Sequence, residues 1–83
     1  MPAMDSTFFK ECSLNERIRL ILRTGIFLSI IEYKNFNLHL FSISDFFVEV
    51  KVSCPQSDVE SVRVISGEDV EKFVANVELP VSI

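Results

Sequence analysis

The chain has little of what most small-protein chemistry is built from. It carries one histidine and two cysteines in 83 residues. Metal sites need several convergent His, Cys, Asp or Glu ligands. Cys12 and Cys54 form no C-x-x-C pair, and the acids Asp58, Glu60, Glu68, Asp69 and Glu71 lack the glycine-centred spacing of a calcium loop. No metal and no cofactor are therefore expected. With two glycines, Gly25 and Gly67, a phosphate-cradling loop is excluded too. Ser66-Gly67 precedes a predicted helix, but Glu68 and Asp69 occupy that positive end and would repel an anion.

Basic residues are also scarce: eight Lys and Arg against twelve Asp and Glu, a net charge of −4. Phosphate-backbone binding relies on clustered cations, so nucleic acid is not an expected partner. Arg17, Arg19 and Arg23 lie in one segment, and Arg19 and Arg23 at i, i+4 read as a solvated helix face. Mean hydropathy is +0.32, yet no apolar run approaches the ~20 residues of a membrane span. The longest uncharged stretch, Asn35 to Ser44, includes two asparagines and His39. The start, MPAMDSTFFKEC, has no basic region followed by an apolar one, so a secretory leader and a membrane location are not expected. Two cysteines are too few for the disulfide framework of a small secreted domain. The expectation is free thiols, with a disulfide between Cys12 and Cys54 as the minor alternative, and a cytoplasmic protein.

What the chain has in quantity is apolar surface. Of its residues 48% are hydrophobic and eight are phenylalanine. That excludes disorder and, at this length, predicts one domain. A domain of this size buries only about 60–65% of the surface its unfolded chain exposes. A Phe-rich 83-mer therefore has difficulty hiding all of its apolar area alone.

Residues 1–12 read as an N-terminal arm or short helix, in which Asp5-Ser6-Thr7 can cap a turn bearing Phe8 and Phe9. Residues 13–83 read as a single α+β domain. Ser13-Leu14-Asn15-Glu16 is an S-x-x-E capping box. Leu14, Ile18, Ile21 and Leu22 follow at helical spacing, and Gly25 is placed to end the helix as a C′ residue. Strands are predicted over 26–33, 36–43, 46–52 and 59–65, with turns at Lys34-Asn35 and Ser44-Asp45 and a loop at 54–58. Ser66 caps a last helix with Val70, Phe73, Val74 and Val77 on one face. The connections are short enough for hairpins. The expected architecture is thus α-β-β-β-β-α, a four-stranded antiparallel meander with both helices on one face in two layers.

Phe46, Val48, Val50 and Val52 alternate toward one face of the third strand. For Leu38 and Leu40 to share that face, Leu40 must oppose Val50 and Leu38 must oppose Val52. This register sends Phe41, Phe47, His39 and Glu49 to the other face. Residues 26–33 are apolar on both sides, one carrying Ile26, Leu28 and Ile30 and the other Phe27, Ile31 and Tyr33. An outer-face interface of Phe27, Ile31, Tyr33, Phe41 and Phe47 follows as the expectation, covered either by the N-terminal arm or by a second copy.

The strings Asn15-Glu16-Arg17-Ile18, Gly25-Ile26-Phe27-Leu28 and Phe47-Val48-Glu49-Val50 resemble a group of short uncharacterised bacterial proteins. These share an N-E-R-I helix start, a glycine at the helix end and a V-E-V strand. The resemblance spans roughly residues 13–79 and implies no activity. A meander with a helix is also similar to single-strand nucleic-acid-binding folds of the whirly type, but the acidic charge and the absence of a basic aromatic groove oppose that use.

The functional expectation is a homodimeric protein-interaction or accessory module, with room for an unidentified protein partner. A small apolar-ligand-binding protein is the alternative. An enzyme using His39 and Glu49 as a carboxylate-supported base is the weakest reading, and no catalytic residue is assigned.

Overall fold

The computed structural model describes residues 5–75. Two short helices lead the chain. Helix α1 (Ser6–Glu11) is capped by Asp5, whose carboxylate accepts the Phe8 N–H at 2.9 Å. Helix α2 (Leu14–Thr24) has the capping box the sequence predicts. Ser13 Oγ accepts from Glu16 N, and Glu16 Oε1 accepts from Ser13 N. Arg23 sits in its last turn, where a cation offsets the helix dipole. Gly25 does end the helix, but for a different reason from the one expected. Its φ of −78° is extended rather than left-handed. Glycine is needed there because a Cβ would stand 2.7 Å from the Ile21 carbonyl oxygen.

Four strands follow: β1 (Ile26–Glu32), β2 (Phe36–Ile43), β3 (Phe46–Ser53) and β4 (Val59–Ile65). All pairings are antiparallel, in the order β1-β2-β3-β4, so β1 and β4 are the edges. Helix α3 (Gly67–Ala75) closes the described chain. Ser66 Oγ accepts from Asp69 N, the expected cap. Val77 and the stretch Leu79 to Ile83 lie outside the described residues.

The fold is therefore the α+β meander that hairpin-length connections dictate. Its register differs from the expected one by a single residue. The turn between β2 and β3 has two residues, Ser44 and Asp45, so Ile43 opposes Phe46 and every pair joins an odd residue to an even one. Phe41 opposes Val48, His39 opposes Val50, and Leu40 opposes Glu49. Phe41 and His39 thus share the valine face, while Leu38 and Leu40 turn to the face of Phe47 and Glu49.

That shift gives the sheet two cores. On the valine face, α1 and α2 form a helical layer over Val48, Val50 and Val62. Phe9 and Ile21 are buried there, and Phe9 lies 5.6 Å from Phe46 ring to ring. On the opposite face α3 inserts Phe73, fully buried, among Ile31, Leu38, Leu40 and Ile65. The helices were expected to cover one face together. They divide because Leu38, Leu40 and Ile65 make the second face as apolar as the first, and an apolar face must be covered.

Candidate functional site

The five residues of the expected interface do not share a face. A β-bulge in β1 between Phe27 and Ser29 resets the alternation. Before it, Phe27 pairs with Phe41 on the valine face; after it, Ile31 pairs with Leu38 and is buried on the α3 face. Phe47 is half-buried against the α3 cluster, and the half-exposed Tyr33 stacks on Phe36 with ring centroids 4.6 Å apart. The structure brings together Phe27 and Phe41, in edge-to-face contact at 5.6 Å, and adds His39, 6.0 Å from Phe27. His39, expected as a base in the weakest reading, takes its place in this aromatic cluster from the odd-to-even register that the two-residue turn sets.

Behind this trio an apolar groove of about 170 Å³ runs between α2 and the sheet. Ile18, Ile21 and Leu22 form its helical wall, and Phe41, Val50 and Val52 line its floor with His39. Exposed apolar residues cluster in sequence near the groove wall: Leu22 is 80% exposed, Ile26 62%, Phe27 53% and Leu28 47%. The first lies in the last turn of α2 and the others begin β1, with Phe27 on the valine face and Ile26 leaving the other. Lone exposed apolar residues are ordinary, but four within a seven-residue stretch concentrate apolar surface where α2 meets β1.

Burial holds the His39 imidazole below its ordinary value of 6.5. The unfolded chain takes up a proton near 6.5, while the folded chain does so only at lower pH. The contribution is intact above 6.5 and declines as pH falls from there through the folded value. Urea unfolding midpoints measured across this window should drop on acidification for the native chain. The drop should be smaller for His39→Gln, and equal slopes would show that His39 does not carry it.

Glu49 is nowhere near His39. The two side chains leave opposite faces of the sheet, since Glu49 opposes Leu40 and His39 opposes Val50. Glu49 is buried on the α3 face. Its Oε1 accepts from Arg63 Nε at 2.9 Å, and its other oxygen meets the Lys72 ammonium. Both oxygens are therefore engaged in tying α3 to β4, and no acid–base pair with His39 can form. The pairing of Glu49 with Arg63 across β3 and β4 is a cross-strand charge match, visible in sequence once the register is known.

The edge strand β4 is partly covered. Helix α1 packs against it, and Arg17 of α2 spans the junction. Arg17 Nη1 donates to the Val62 carbonyl at 2.6 Å, Nη2 to the Lys10 carbonyl at 2.6 Å and Nε to the Phe9 carbonyl at 3.2 Å. The arm thus folds back beside α2 on the valine face, with Phe9 buried and Phe8 exposed. Among the described residues no helix is long and apolar enough to cross a membrane. Compared with protein-family models, curated proteins and solved structures, the chain has no match in any of the three.

Proposed function

We propose that the chain is a homodimeric protein-interaction module that works by presenting a surface rather than by chemistry. The observation that carries this is the exposed apolar surface where α2 meets β1: Leu22 beside the groove and Phe27 packed on Phe41, with the exposed Ile26 and Leu28 next to it in the strand. An apolar set of this extent on a small domain is stabilised by association, and a two-fold dimer is the commonest closed solution. The half-buried, unbridged thiols of Cys12 and Cys54 suit a reducing compartment, and we assign the cytoplasm.

Native mass spectrometry of the purified chain should give twice its 9.5 kDa mass. Phe27→Asp should shift the population to single copies with an unchanged circular dichroism spectrum. A single copy for the native chain at every concentration would reject the reading. The apolar groove under α2 favours a second reading, a small apolar ligand. The same spectrum decides it: a retained added mass on one copy, absent after denaturation, would support the ligand over the dimer.

A further inference from the structure

We propose that the cleft between α1 and α2 docks an acidic segment of a partner protein, one that carries two carboxylates about a helical turn apart beside an apolar side chain. This rests on the reading of the chain as an interaction module, and names a second surface and the chemistry of its partner.

The four arginines divide into two pairs. Arg17 gives its guanidinium to three carbonyls, and Arg63 is held by Glu49. Among the described residues, Arg19 and Arg23 make neither an ion pair nor a hydrogen bond. Their i, i+4 spacing reads as a solvated face, but the structure places both on a cleft of about 200 Å³ between α1 and α2. It lies along a different flank of α2 from Ile18, Ile21 and Leu22. Phe8 lines it from α1 and is 54% exposed, although the adjacent Phe9 is fully buried. The half-buried Leu20 and Cys12 add to its apolar part.

Two unpaired guanidinium groups beside an exposed ring recognise a particular chemistry. Each guanidinium presents a fork of N–H donors that matches a carboxylate. Side chains four apart on a helix stand about 6 Å apart at Cβ, which is also the spacing of two glutamates at i and i+4 on a partner. Phe8 and Leu20 offer the same occupant an apolar contact. The charge distribution agrees. Residues 5–24 carry four basic side chains against three acidic, whereas residues 25–75 carry four against eight. An acidic partner is thus drawn to the α1–α2 layer and repelled by the rest. Glu16 lines the cleft too, but its Oε1 accepts from Ser13 N at the start of α2. Its charge weighs more heavily against a phosphate dianion than against a carboxylate. The net charge of −4 opposes a polyanion as long as a nucleic acid.

The probe is a blocked, fluorescein-labelled peptide, Glu-Ala-Ala-Leu-Glu-Ala-Ala, titrated with the full chain and followed by anisotropy. It should bind about tenfold more tightly than its counterpart with Gln for Glu, an advantage that narrows as salt rises. Arg19→Gln and Arg23→Gln, both at exposed positions, should each remove most of that advantage. Phe8→Ser should weaken both peptides alike. The two thiols report the location. Saturating peptide should slow alkylation of Cys12, in the cleft, and leave Cys54, in the loop after β3, unchanged. Equal binding of the two peptides, an advantage that survives both arginine variants, or an unprotected Cys12 overturns the proposal. So does displacement by inorganic phosphate or a single-stranded oligonucleotide as readily as by unlabelled peptide, because the cleft would then hold any anion. A single-copy chain that binds the peptide through Arg19 and Arg23 rejects the homodimer and keeps this proposal. A dimer that does not tell the two peptides apart does the reverse.

Discussion

Arg17→Lys lowers the unfolding free energy by about 2–3 kcal/mol, although it keeps the charge. The guanidinium serves three carbonyls in divergent directions, two on α1 and one on β4. A lysine ammonium at the end of a flexible stem cannot reach all three, so arginine and lysine are not interchangeable here. Hydrogen bonds to a charged group are each worth about 1.5–3 kcal/mol; part is regained because the Lys10 carbonyl can return to water. Arg17 also lies over the Phe9 ring, 5.7 Å from its centroid, and so helps to seat the one fully buried side chain of α1. Urea denaturation gives the size of the loss. Hydrogen exchange gives its location, with α1 amides losing protection before those of the sheet. A loss below about 0.5 kcal/mol, the scale of an ordinary surface change, would mean the clamp is ornamental.

Phe73→Ala removes more. Phe73 is fully buried between α3 and the sheet, and truncating a buried phenylalanine costs about 3–5 kcal/mol. A domain of this length has only roughly 4–12 kcal/mol in all, so most of the population should melt at a temperature where the native chain is folded. Val74, its neighbour in α3, is 67% exposed, and Val74→Ala should move the midpoint by less than about 0.5 kcal/mol. The contrast, read by thermal or urea denaturation, isolates packing from helix propensity. Comparable losses in the two variants would refute the placement of α3 on the second face.

Local chemistry made the elements readable. Ser13 and Glu16 mark the start of α2, Ser66 marks that of α3, and β-branched and aromatic runs mark the strands. The register of β2 on β3 has its determinant in the sequence, yet it differs from the expected one. A two-residue turn at Ser44-Asp45 forces odd residues of β2 opposite even residues of β3, so Leu40 cannot oppose Val50. Gathering leucines and valines on one face, as the expected register does, requires a single core. This sheet has two. The β1 bulge was invisible for a related reason: Ile26 to Ile31 is apolar on both sides, and a strand without alternation does not declare its faces. Of the expected interface, Phe27 and Phe41 meet, while Ile31, Tyr33 and Phe47 serve the other face or its margin. The groove and the Arg17 clamp depend on contacts between distant parts of the chain, which no local pattern encodes.

Gly25 is the whole connection between α2 and β1, and its backbone is wedged against the Ile21 carbonyl with no room for a side chain. There is no slack at this joint to absorb a displacement. The helix that walls the groove and the edge strand β1 are therefore joined through a single residue. Any side chain at this position would have to displace the Ile21 backbone before helix and strand could keep their present angle.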